Sequence, residues 1–145
     1  MARTAARQLG IEFIEREARS VDELRTSLRT LKTGEGDALF IVSDGMVISQ
    51  AQLIVDVAQS NKLMTMFTER SSVVRGGLSS YGVNYYTIGR LAAKYVHKVL
   101  LGASPADLPV ERSDRLELVI NARIAREMGL TIPREVLVQA DEVIK

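Results

Sequence analysis

The chain has 145 residues, 46% of them apolar, enough to build one ordinary globular domain. Leu, Ile, Val and Phe total 44, roughly 30% of the chain, which excludes global disorder. Nineteen basic residues against eighteen acidic ones leave a net charge of +1 with the signs interspersed. A nucleic-acid partner, which needs a basic patch, is therefore not expected. The longest apolar run, Ala38–Val42, is far too short to span a bilayer. Cysteine is absent, which removes disulfides, thiolate catalysis and Cys-based metal sites, and a single histidine, His97, removes multi-histidine ones. The first ten residues carry two arginines and no apolar core, so they do not read as a signal peptide.

Strand and helix patterns alternate along the chain. A short helix is expected over Ala5–Leu9, then a strand over Ile11–Ala18. Ser20 and Glu23 form a capping box. Behind it Val21, Leu24, Leu28 and Leu31 recur at helical spacing, with Gly34 as the stop. Ala38–Val42 is apolar on both faces, as in the middle of a covered parallel sheet. Ser49 and Gln52 suggest a second capping box, followed by the stripe Ala51, Ile54, Val55 and Ala58, with Asn61 closing the helix. Leu63–Phe67 is the next strand and Leu78–Tyr81 another.

The clearest helix runs from about Asn84 to Leu101. Ile88, Leu91, Ala92, Tyr95, Val96, Val99 and Leu100 make its apolar stripe, and Gly102 ends it. Ser104–Pro109 is a connector, Leu116–Ile120 a strand and Asn121–Met128 a short helix stopped by Gly129. Pro133 opens a last helix. The fold class that follows is α/β: a three-layer parallel sheet with helices on both faces. A helix stands before the first strand, so the sheet lacks a leading strand.

Open parallel sheets bind ligands beyond the carboxyl ends of their strands. That rule selects Ser43 and Asp44, then Glu69, then Tyr81 and Asn84. Asp44 and Glu69 suit a ligand ammonium group, and Tyr81 an apolar or aromatic side chain. The same residues also fit plainer roles: Asp44 capping a turn with Gly45, Glu69 solvated and Tyr81 in the core. His97, between Lys94 and Lys98, reads as solvated. Neither GxGxxG nor GxxxxGK(S/T) occurs, so no cofactor is indicated, and no metal site or catalytic residue is assigned.

Several segments follow one another in a familiar order: Ala38-Leu-Phe-Ile-Val-Ser-Asp44, Gly76-Gly-Leu-Ser-Ser-Tyr-Gly-Val-Asn-Tyr-Tyr86, Ile88-Gly-Arg90 and Gly102–Glu111. Leu116-Glu-Leu-Val-Ile-Asn121, Gly129-Leu-Thr-Ile-Pro133 and Ala140-Asp-Glu-Val-Ile144 continue it. Together they resemble the C-terminal half of ABC-transporter substrate-binding proteins, in the family that includes tryptophan and aromatic-amino-acid binders.

The resemblance implies one lobe of a type I periplasmic binding protein, without its first lobe and opening strand. It implies a non-enzymatic solute binder that holds an amino-acid-like ligand between lobes and delivers it to a membrane permease. It places the protein in the periplasm, or lipid-anchored outside the cytoplasm. Carried over, Ser43, Asp44, Glu69, Tyr81 and Asn84 line the second lobe's side of the cleft. The stripe of the 84–101 helix would need another partner, and a homodimer is the expectation. The alternatives are the effector-sensing domain of a transcription regulator, or a small flavodoxin-like or receiver domain.

Overall fold

A computed structural model describes residues 2–32, 34–42, 44–112 and 115–145. Among these residues five strands form one sheet in the order β1-β2-β3-β4-β5: β1 (Ala38–Phe40), β2 (Met64–Phe67), β3 (Ser79–Val83), β4 (Leu116–Asn121) and β5 (Glu142–Ile144). Pairs β1–β2, β2–β3 and β4–β5 are parallel. The α/β reading holds, with two departures among the described residues: β1, expected in the middle of the sheet, stands at its end with Ala38 and Phe40 exposed, and β4 runs antiparallel to β3, Tyr81 standing opposite Leu118. The cause of the reversal lies between β3 and β4. The chain there, opening with helix α6 (Tyr85–Leu100), leaves the carboxyl edge where β3 ended and returns to it before β4.

Among the described residues the other α-helices are α1 (Ala2–Gln8), α2 (Val21–Arg29), α3 (Gly45–Ser49), α4 (Ala51–Ser60), α5 (Arg70–Val74), α7 (Ala122–Glu127) and α8 (Arg134–Gln139), with a 3-10 turn at Pro105–Asp107. Leu28 of α2 and Ile54 and Val55 of α4 pack with Ile41 and Phe67 into one apolar cluster. Leu78 with Ile124 and Ala125 of α7 forms another, against which Met64 and Met128 pack. Each buried aliphatic side chain contributes about 1.5–3 kcal/mol. Among the described residues no helix is long and apolar enough to cross a membrane.

Local signals account for most helix starts. Ser20 Oγ accepts from the Glu23 N–H at 3.2 Å while Glu23 Oε2 accepts from the Arg19 N–H at 2.8 Å, so the expected box is present but shifted by one residue on the returning arm. Helix α2 ends at Arg29, with Thr30 as its cap, well before the expected stop at Gly34. The box expected at Ser49 does not form. Its hydroxyl instead donates back to the Met46 carbonyl at 2.6 Å, and Gln50 precedes α4 without a side-chain cap. A strand over Ile11–Ala18 is also overturned: the segment is in no ladder. Its composition suits a strand, but a strand exists only beside a neighbour that completes its hydrogen bonds.

Candidate functional site

β1, β2 and β3 are parallel, so the residues just after them share one edge of the sheet. Asp44 follows β1, Glu69 follows β2 and Asn84 follows β3. Because β4 is antiparallel, its first residues reach the same edge, Glu117 opposite Gly82. Ser43 lies outside the described residues.

Asp44 is exposed and is the N-cap of α3, its Oδ1 accepting from the Val47 N–H at 2.8 Å. The plainer role considered for it is thus filled, and its carboxylate still faces solvent. Glu69 stands at the N-cap position of α5 without capping it. Its carboxylate accepts instead from Ser71 Oγ at 3.4 Å and from the Tyr85 hydroxyl at 3.5 Å. The adjacent cation does not neutralise it, for Arg70 reaches across to β5 and makes a bidentate pair with Glu142 at 2.6 and 2.7 Å. That pair holds the Glu142 carboxyl below its ordinary range, through the hydrogen bond from Arg70 first.

Tyr81, on β3, is 54% exposed and is not a core residue. Asn84 uses both ends of its amide. Oδ1 accepts from the Thr87 N–H at 2.9 Å and so caps α6, while Nδ2 donates to Glu117 Oε1 at 2.6 Å. The edge therefore carries Asp44, Glu69 and Glu117 with a half-buried amide and two tyrosines, Tyr81 and Tyr85. Such a surface favours a cationic group flanked by an aromatic or apolar one. Neither Glu117 nor Tyr85 is among the residues that the strand-end rule selects. The available signal was a lone acid inside the apolar run Leu116–Ile120.

A profile for ABC transporter substrate binding proteins matches residues 1–144. The chain belongs to this family. A tyrosine-binding protein from Clostridioides difficile is 29% identical over 116 residues, covering 80% of this chain and 33% of its own length. An ABC domain from Streptococcus pneumoniae, solved in complex with L-Trp, superposes with a TM-score of 0.85 at 31% identity, over 97% of this chain and 49% of that one. A conserved domain protein from Vibrio cholerae gives 0.84 at 29% identity, with 97% and 47% covered. The chain thus spans about half the length of these solved structures and a third of the tyrosine-binding protein.

Proposed function

We propose that the chain supplies one lobe of a two-lobe solute-binding protein of an ABC importer, acting outside the cytoplasm and handing its ligand to a permease. The ligand is an amino acid with an aromatic or other apolar side chain. The work is binding and delivery, with no chemical step. What carries this reading is the convergence of Asp44, Glu69 and Asn84 beyond β1, β2 and β3, with Tyr81 beside them, in a chain of this family. The relatives that bind L-Trp and tyrosine support the ligand class. Asp44 and Glu69 hold the ammonium group, Tyr81 lies against the side chain, and Ser43 and Asn84 contribute polar contacts.

An open half-cleft leaves these carboxylates hydrated, and a charge-assisted hydrogen bond worth roughly 1.5–3 kcal/mol when desolvated contributes little there. The 145-residue chain alone therefore binds L-tryptophan no tighter than millimolar. Joined to the complementary half of the Streptococcus pneumoniae domain, it gains tight binding measurable by calorimetry. Asp44→Asn separates the two roles of that residue: an asparagine caps a helix as well as an aspartate, so α3 stays intact while the charge is lost. Affinity in the joined protein falls about tenfold or more, about 1.4 kcal/mol per decade. An Asp44→Asn variant that binds as tightly as its parent would overturn the assignment.

A further inference from the structure

Arg70 and Glu142 stand 72 positions apart, and their pairing crosses the sheet. Arg70 opens α5 beyond β2, α5 packs on β3 and β4, and Glu142 opens β5 on the far side of β4. Arg70 Nε donates to Oε2 at 2.6 Å and Nη2 to Oε1 at 2.7 Å. A fork meeting a carboxylate in this way fixes the guanidinium in direction as well as in distance. The acceptor is itself anchored. Just before Glu142, Asp141 donates its N–H to the Leu118 carbonyl at 2.9 Å, and its carboxylate accepts from the Leu118 N–H at 3.0 Å.

Both side chains keep much of their surface in water, 54% for Arg70 and 38% for Glu142, so the pair adds little to folding. Its consequence is where it puts a charge. Arg70 follows Glu69 directly in the chain. The Glu142 hydrogen bonds first, and the Glu117 charge after them, hold the Arg70 pKa above its ordinary value, which places Glu117 within electrostatic reach. Glu69 itself has only two long contacts, from Ser71 at 3.4 Å and Tyr85 at 3.5 Å, and can accept a stronger partner. A cation tethered one residue away competes with free ligand at an effective concentration on the order of millimolar.

We propose that Glu142 is a positioning residue for the candidate site: by holding both arms of Arg70 it keeps the guanidinium off Glu69 and Glu117, leaving these acids open to a ligand ammonium group. The last step rests on the ligand reading above; the placement of Arg70 does not. Without the Glu142 charge, Arg70 turns to its acidic neighbours, and the edge supplies its own cation where the ligand's belongs.

Side-chain NMR on the intact 145-residue chain tests the placement. In the parent, the Arg70 Nε–H exchanges slowly with water and gives NOEs to the Glu142 methylenes. Glu142→Gln keeps the shape but offers only a neutral acceptor, and charge-assisted bonds are roughly twice as strong. The expected result is new NOEs from Arg70 to Glu69 or Glu117. In the joined two-lobe protein, calorimetry with L-tryptophan should show Glu142→Gln weakening binding at least threefold. Adding Arg70→Gln removes the competing cation and restores the parent affinity, a rescue that a purely structural role for Glu142 does not produce. Should Glu142→Gln disturb folding, as read by circular dichroism, Glu142→Thr, a better strand former, takes its place. An Arg70 unpaired with Glu142 in the parent, or clear of both acids in the variant, overturns the proposal. So does an affinity that Glu142→Gln leaves unchanged, or a loss that Arg70→Gln fails to restore. A joined parent that binds no L-tryptophan refutes the ligand reading alone, and the NOEs then decide the placement.

Discussion

Gly82 sits in β3 where the strand passes the backbone before Glu69, and the room for a side chain there is negative. A Cβ built on it would lie 2.0 Å from the Thr68 carbonyl oxygen, 2.8 Å from its carbon and 3.2 Å from its Cα. All three atoms are backbone, so no rotamer change relieves the clash. Since real Cβ contacts stay beyond 3.0 Å, β3 and residue 68 must part by at least 1.0 Å in Gly82→Ala (3.0 minus 2.0). Overpacking of this kind costs about 1–3 kcal/mol, and a backbone-on-backbone clash belongs at the upper end. At this chain length about 3 kcal/mol lowers the melting temperature by about 10 °C. The matched control is Gly89→Ala, in the middle of α6, where an added Cβ meets nothing within 4 Å. It should gain about 0.5–1 kcal/mol from the reduced freedom of the unfolded chain and the better helix former. Urea titrations followed by circular dichroism measure both. A Gly82→Ala loss below about 1 kcal/mol, or equal losses in the two variants, refutes the close approach of β3 to the loop that carries Glu69.

Asn121 is buried, its Oδ1 accepting from the Ile124 N–H at 3.1 Å and its Nδ2 donating to the Val73 carbonyl at 3.2 Å. Asn121→Ala removes the acceptor that caps the buried Ile124 N–H, while the Val73 carbonyl keeps the Gly76 N–H at 3.1 Å, and urea unfolding should register a loss of about 1–2 kcal/mol. Asp141 is held below its ordinary range by the Leu118 N–H and by Arg115, as Glu142 is by Arg70. A depressed folded pKa means that the unfolded chain takes up protons first. Stability is therefore whole above about pH 5 and falls as the pH drops through 4 and below. The urea midpoint measured from pH 6 to 3 should fall less steeply in an Asp141→Asn, Glu142→Gln double variant, and an unchanged slope would contradict the two carboxylates' role.

How far the fold could be read in advance depended on whether its causes were local. The α6 helix was legible because its stripe and its cap, Asn84, lie within a few residues of each other. The direction of β4 was not, because it is decided by where the chain between β3 and β4 returns to the sheet rather than by Leu116–Ile120, whose pattern suits either direction. Ile11–Ala18 misled for a related reason: apolar content describes a strand's appetite for a neighbour and not the neighbour's presence. At Ser49 two local signals competed, and the aspartate five residues upstream took the helix start. β5, three residues long, was too short to announce itself. For the candidate site, the strand-end rule located Asp44, Glu69 and Asn84. Glu117 and Tyr85 join them through an antiparallel ladder and a hydroxyl contact, which no spacing encodes.

The chain between β3 and β4 is fastened along its way. Tyr95 donates its hydroxyl to the Pro109 carbonyl, Lys94 pairs with Glu111 at 2.7 Å, and Asn84 at the start of α6 holds Glu117 in β4. Helix α6 is consequently tied to β4 at the carboxyl edge and to residues 109 and 111 farther along. The Asn84–Glu117 hydrogen bond couples the start of α6 to the start of β4, so a shift of the helix is passed to the edge through that bond. Movement of this helix against any neighbour would reach the acidic edge by that route, which links the geometry of a binding surface to a change in the helix's position.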